Sequence, residues 1–277
     1  MLIQINNICF SYPGGVEALR DISLSIQAGE MIALVGANGS GKTTLARHLI
    51  GLLQPEAGSI HIGNWQTSEH APSQMARRVA YVFQNPDEQL FCQRVWDEVA
   101  FGPQNFGCTH AEVDSRVRST LEWLNLQDVE KENPRDLIYS MRKRVALASA
   151  LAMQTPIIIL DEPTAGLDAG EQAHLSQVLD TLRSQQKTVM VITHNMDFAA
   201  ENLDRFIYLR NGKVLADAPA CAFFGVEFLS QTSELIPPQI VRLSFSLGYA
   251  RPSLCSDQFL NQLSFTCQNG VPGQEQD

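Results

Sequence analysis

Three features of this chain predict an α/β fold built on a parallel sheet. They are a glycine-rich loop, Gly36-Ala37-Asn38-Gly39-Ser40-Gly41-Lys42-Thr43-Thr44, set between a strand-like and a helix-like run; short apolar strands alternating with helices; and the apolar strand Ile157 to Leu160, which ends in Asp161-Glu162. Continuous apolar runs bounded by turns mark strands covered on both faces, and helices between them imply parallel pairing. The loop reads as phosphate-binding. Its glycines let successive N–H groups converge on one anion, and the N-terminus of the following helix adds partial positive charge. In that frame Lys42 holds the β/γ phosphates and the Thr43 hydroxyl takes one position on Mg2+.

Taken in order, Leu2 to Phe10 and Leu19 to Ile26 read as strands separated by the turn at Pro13-Gly14-Gly15, forming a small antiparallel β layer. Met31 to Val35 is the buried strand that feeds the loop, and Leu45 to Leu53 is the helix after it. Ser59 to Ile62 and Val79 to Phe83 are further strands. Thr109 to Leu126 has helical spacing through Val113, Val117, Leu121 and Leu124, so a helical insertion interrupts the sheet. Met141 to Met153 is a second helix, followed by the strand Ile157 to Leu160, the helix Gly170 to Ser184 and the strand Thr188 to Ile192. Past Val214 the composition changes to a Phe-rich patch (Phe223, Phe224, Phe228), then Pro237-Pro238 and a helix-like run, Gln239 to Leu247. The expected organisation is a nucleotide-binding domain over residues 1–216, with its helical insertion at about 86–154, and a small C-terminal appendage over 217–277. Residues after Asn269 read as a frayed tail.

A chain of 277 residues, 44% hydrophobic and 18% charged, can bury a sizeable core without staples. Its six cysteines are scattered, which indicates reduced, mostly buried thiols and neither a zinc site nor a disulfide framework. A formal net charge of −10 argues against non-specific nucleic-acid binding, which needs a basic footprint. The first ten residues carry no charged-then-apolar leader, and no stretch approaches the roughly 20 apolar residues of a membrane span, so the chain is expected to be cytosolic.

Adjacent carboxylates at the end of an apolar strand need a reason. Beside a phosphate loop, Asp161 is placed to hold the Mg2+ shell, and Glu162 lies one residue closer to the γ-phosphate, where it can orient or deprotonate the attacking water. His194 closes the strand Thr188 to Ile192 and is expected either to touch the γ-phosphate or to polarise the water; the bland alternative is a satisfied polar residue. Gln84 ends a strand in the same way, and a neutral amide there can reach Mg2+ or the water and swing away when the nucleotide leaves. Tyr12 offers an aromatic face for adenine, against the alternative of ordinary core packing.

With these motifs in this order, the chain resembles the ATP-binding subunits of ABC transporters over about Leu2 to Ala216. The resemblance implies a P-loop ABC-type nucleotide-binding domain using ATP and Mg2+. It makes Tyr12 the adenine-stacking residue, Gly36 to Thr44 the Walker A loop, Gln84 the Q-loop, Ile157 to Glu162 the Walker B strand with its catalytic glutamate, Asp168 the D-loop residue and His194 the switch histidine. The runs Val82-Phe83-Gln84-Asn85-Pro86-Asp87-Glu88-Gln89-Leu90-Phe91 and Asp97-Glu98-Val99-Ala100-Phe101-Gly102-Pro103 are similar to the energy-coupling-factor branch, which takes up vitamins or transition-metal ions. The C-terminal appendage after Val214 is similar to that branch's C-terminal domain, and the likeness implies that it contacts the paired ATPase, with a transmembrane coupling subunit and a substrate-binding membrane subunit as further partners. It places the chain peripherally on the cytoplasmic face, with Leu90, Phe91 and Trp96 as apolar contacts and no nucleic acid involved.

One motif departs from the family. The signature Leu-Ser-Gly-Gly-Gln reads here Leu137-Ile138-Tyr139-Ser140-Met141, so the serine is lost to Ile138 and both glycines to Tyr139 and Ser140. In this family two such domains pair head to tail, each ATP being held between the Walker A loop of one and the signature of the other. The defect therefore acts on the partner's site. The expected assembly is a heterodimer with a second ABC ATPase; a largely non-catalytic nucleotide-binding scaffold is the alternative. A soluble ABC protein acting on ribosomes or DNA is disfavoured by the acidic, single-domain chain. Arg142, Lys143 and Arg144 could restore some anion contact at the altered signature, but a solvated basic helix face is the favoured reading.

Overall fold

The computed structural model describes residues 2–225, 235–249 and 251–269; Phe228 and the tail expected after Asn269 lie outside the described residues. The strands are Ile3–Tyr12 (β1), Val16–Ile26 (β2), Met31–Val35 (β3), Ala57–Ile62 (β4), Trp65–Gln66 (β5), Val79–Val82 (β6), Ile157–Asp161 (β7), Thr188–Ile192 (β8), Arg205–Arg210 (β9) and Lys213–Pro219 (β10). The helices are Lys42–Leu49 (α1), Pro72–Met75 (α2), Val95–Asn105 (α3), His110–Trp123 (α4), Tyr139–Ala152 (α5), Ala169–Ser184 (α6), Met196–Asn202 (α7) and Ala220–Phe223 (α8), then Gln239–Ser246 and Ser256–Asn269.

A six-stranded sheet has the order β10-β9-β3-β8-β7-β6, and a four-stranded antiparallel sheet the order β2-β1-β4-β5. Within the larger sheet β9, β3, β8, β7 and β6 are parallel, and β10 closes antiparallel on β9. Period-two alternation in these apolar strands separates two cores. Met31, Ala33 and Val35 face the layer of α3 to α6, whereas Ile32 and Leu34 face β1, β2, β4 and α1. Every residue of β3, β7 and β8 is buried, as parallel strands covered on both faces require. Because these strands run the same way, the loops after β3, β6, β7 and β8 all emerge at one carboxyl edge, and there the site is built.

Helix starts follow local chemistry. Thr109 caps α4 in a reciprocal box with Glu112, whose carboxylate accepts the Thr109 N–H at 2.7 Å. Asp168 caps α6 by accepting the Glu171 N–H at 2.9 Å. The insertion contains one more helix than expected, α3. Gly102 and Pro103 disguise it in the sequence, yet a Cβ at Gly102 would come within 2.5 Å of Met153 Cγ, so the glycine is what lets α3 lie close to α5. The β9–β10 hairpin is an element beyond those expected, and Asn211-Gly212, both at positive φ, is its turn signal.

That hairpin moves the expected boundary at 216/217, which falls inside β10. Beyond it, Phe223 and Phe224 are buried in the main core against Phe206, with ring centroids 4.9 Å from it in each case. The Phe-rich patch up to Phe224 is thus part of the sheet's cover. The helix Gln239–Ser246 is docked by its first N–H, donated to Asp197 of α7 at 2.8 Å, and buries Val241. The thiols of Cys9, Cys92, Cys108 and Cys255 are free and half-buried, and Cys221 is exposed, a wetter set than expected. Among the described residues no helix is long and apolar enough to cross a membrane.

Candidate functional site

The glycine-rich loop curls tightly after β3 because of three positive-φ glycines, Gly36, Gly39 and Gly41. Gly36 shows the constraint most sharply. A Cβ there would strike the Leu209 carbonyl and come within 2.7 Å of Ser40 Oγ, at a φ of +151. Gly36→Ala is therefore expected to lower stability by about 3 kcal/mol, combining overpacking with backbone strain. A lower urea midpoint at unchanged slope would read this out, together with lost nucleotide binding.

Tyr12, Gly36, Asn38, Gly39, Gly41, Lys42, Thr43, Thr44, Gln84, Asp161, Glu162 and His194 line one cavity of about 680 Å3 at the carboxyl edge of the sheet. Ser40 lies beneath it, buried, with its Oγ 3.5 Å from Lys42 Nζ. Lys42 Nζ donates to the loop carbonyls of Gly36 at 2.8 Å and Ala37 at 2.9 Å. Burial lowers the pKa of Lys42, and the charges of Glu162 and Asp161 oppose that shift.

Thr43 Oγ1 donates to Asp161 Oδ2 at 3.2 Å, and Tyr81 Oη donates to the same oxygen at 2.6 Å. Burial raises the Asp161 pKa; the Tyr81 and Thr43 hydrogen bonds and the Lys42 charge oppose this, while the Glu162 charge adds to it. A hydroxyl and a carboxylate side by side form the hard oxygen donor set that suits Mg2+. Tyr81 escaped sequence reasoning because 80 residues separate it from Asp161, and only the β6–β7 pairing brings them together.

Glu162 follows β7 with a left-handed backbone, φ +46, which a residue with a Cβ rarely adopts. Its Oε1 is 2.8 Å from His194 Nδ1, and its Oε2 accepts from Thr193 Oγ1 at 3.3 Å. The two partners differ in access. The Glu162 side chain is 10% exposed, whereas that of His194 is 75% exposed and faces the cavity mouth. Gln84 is also exposed. Tyr12 is only half-exposed at the cavity wall; its hydroxyl is 3.1 Å from Thr44 Oγ1 and its ring is roughly perpendicular to that of Phe10.

The basic run after the altered signature is not a solvated face. Arg142 pairs with Asp87 at 2.7 Å and Arg144 with Glu171 at 3.4 Å, while Lys143 is buried beneath the turn at Glu162. Burial lowers the Lys143 pKa to about 8. Ile138 stands 67% exposed at the start of α5, and the Tyr139 ring lies against Gly166, where an added Cβ would come within 2.8 Å of it.

A phosphate loop, two strand-end carboxylates and a strand-end histidine around one cavity define a nucleotide-hydrolysing P-loop protein. Residues 19–165 match the ABC transporter family, and the chain belongs to that family as an ATPase of the ABC type. It is 41% identical, over 90% of its length, to a putative ABC transporter ATP-binding protein of Caldanaerobacter subterraneus, but spans only 44% of that relative. It is 38% identical to the cobalt import ATP-binding protein CbiO of Rhodobacter capsulatus, over 91% of this chain and 90% of that protein. The solved structure of cbiO1 from Clostridium perfringens, part of the ABC transporter complex cbiONQ, superposes with a TM-score of 0.74 at 29% identity, covering 88% of this chain and 98% of that one.

Proposed function

We propose that this chain is a motor subunit of an energy-coupling-factor type importer for a vitamin or transition-metal ion, working as a heterodimer with a second ABC ATPase. The observation that carries the reading is the pairing of a complete phosphate site with an altered signature, Ile138 exposed and Tyr139 laid on Gly166. In the chain's own site Lys42 and the loop N–H groups hold the phosphates and Tyr12 stacks on the base. Thr43, Asp161 and Gln84 hold Mg2+, which supplies charge neutralisation on the phosphates. Glu162 orients the water and His194 steadies both the carboxylate and the γ-phosphate. The D-loop turn begins α6 through the Asp168 cap. The likeness to the Rhodobacter cobalt-import protein supports a metal-ion cargo.

The membrane coupling subunit docks beside Gln84, in a corrected form of the expected surface. Leu90 is buried and so is not offered to a partner, whereas Trp96 is half-buried with the Arg118 guanidinium 5.2 Å from its ring. Phe91 and Phe101 are exposed as an edge-to-face pair with centroids 4.8 Å apart. Buried Glu98 holds that loop by accepting the Phe91 and Cys92 N–H groups at 2.9 and 2.8 Å. Docking there keeps the chain on the cytoplasmic face of the membrane.

ATP turnover by the purified chain alone, compared with the complex it co-purifies in, tests the heterodimer. The expected result is turnover in the complex and at least about tenfold less in the isolated chain, as each composite site of a homodimer would lack one set of phosphate donors. Strong cooperative turnover by a homodimer would overturn the reading. The scaffold alternative draws on the same altered signature and is decided by whether Glu162→Gln removes turnover by the complex.

A further inference from the structure

The helix that follows the altered signature is bolted to the chain's own phosphate site at adjacent residues. Arg142 reaches Asp87, three residues past Gln84, at 2.7 Å. Lys143, the next residue, is 7% exposed, and its Nζ donates to the backbone oxygens of Glu162 at 2.8 Å and Pro163 at 3.2 Å. These two carbonyls belong to the turn in which Glu162 takes its left-handed backbone. Burying an ammonium is unfavourable unless its protons are used, and here they are spent on holding open a backbone conformation that a non-glycine residue resists. The Glu162 carboxylate leaves that turn towards Thr193 and His194. Rotating the turn would swing it away from both.

We propose that Lys143 is a positioning residue for Glu162: by clamping the Glu162 and Pro163 carbonyls it fixes the left-handed turn, and with it the direction of the carboxylate that orients the attacking water. Helix α5 thereby links three things in one rigid piece. Its first turn presents the signature to the partner's ATP, Arg142 holds the Gln84 segment through Asp87, and Lys143 holds the catalytic turn. A displacement of the signature on dimer closure is carried to the chain's own Glu162 through this lysine. The inference rests on the reading of Glu162 as the group that orients water.

The test uses the full chain in the complex it co-purifies in, with single-turnover hydrolysis of radiolabelled ATP and binding of a fluorescent ATP analogue as separate readouts. The variants are Lys143→Met, Lys143→Gln, Glu162→Gln and the double Lys143→Met/Glu162→Gln. Lys143→Met is expected to slow hydrolysis by about tenfold to a hundredfold through misplacement of the carboxylate, with nucleotide affinity within about twofold of wild type. In the Glu162→Gln background it is expected to add almost nothing, since both changes act on one group. Lys143→Gln, which keeps a donor for the carbonyls without the charge, is expected to recover most of the rate; it also carries the test if the Met variant shows no cooperative thermal unfolding. Wild-type hydrolysis by Lys143→Met overturns the proposal, as does a loss that multiplies with that of Glu162→Gln, or affinity that falls in step with rate. If Glu162→Gln itself hydrolyses like wild type, the motor reading fails and this inference falls with it; if only the Lys143 variants are silent, the inference alone is overturned.

Discussion

Glu162→Gln is expected to lower ATP turnover by the assembled complex about a hundredfold or more, the range associated with removing a general base, while leaving nucleotide binding near wild type. A hundredfold corresponds to about 2.7 kcal/mol of barrier. The geometry supports a change confined to chemistry. The amide is isosteric, so Thr193 Oγ1 at 3.3 Å and His194 Nδ1 at 2.8 Å keep a hydrogen-bonding neighbour, and the Lys143 clamp acts on backbone oxygens that the substitution leaves in place. What disappears is the negative charge that, in the proposed role, draws a proton from water. Steady-state phosphate release from the complex, with binding of a fluorescent ATP analogue measured alongside, checks this. Unchanged turnover would place the chemistry in the partner's site and make this chain a nucleotide-binding scaffold.

The second large effect is a gain. Replacing Ile138, Tyr139 and Ser140 by Ser, Gly and Gly is expected to give the isolated chain ATP turnover at least about tenfold above its unmodified form, because two composite sites in a homodimer regain their phosphate donors. Ile138 is the N-cap of α5 and makes no side-chain cap hydrogen bond. A serine there supplies one, worth about 1 kcal/mol, and so offsets part of the roughly 1 kcal/mol each glycine takes from the helix. Removing the Tyr139 ring also frees the backbone at Gly166, against which the ring lies. Phosphate release by the purified triple variant, together with its concentration dependence, is the measurement. No gain would mean that another feature, such as Met141 or the C-terminal helices, limits homodimer turnover.

Much of this could be seen in the chain before its structure. The strands Met31–Val35 and Thr188–Ile192 match their expected limits, and β7 runs one residue past the Leu160 expected for it, because unbroken apolar runs have one stable place, in a sheet covered on both faces. The helix after the loop starts three residues earlier than expected, at Lys42: apolar periodicity cannot see the polar first turn, whereas the left-handed Gly41 that begins it is set by backbone alone. Asn211-Gly212 is a turn signal for the β9–β10 hairpin, but the compositional change at Val214 marks the boundary within that hairpin.

The sequence by itself determined the phosphate loop, the two strand-end carboxylates, the strand-end histidine and the loss of the signature serine and glycines, since each is a matter of residue type at a fixed short spacing. The tertiary structure alone decided which groups support them. Tyr81 on Asp161, Thr193 on Glu162 and Lys143 beneath the Glu162 turn are joined across 80, 31 and 19 residues, by parallel pairing or by the packing of α5 against the strand end. Burial decided the rest, turning a basic run that reads as solvated into one buried clamp and two ion pairs. Local spacing carries the chemistry a loop can perform; the direction in which a carboxylate points depends on distant backbone, and only the packed chain sets that.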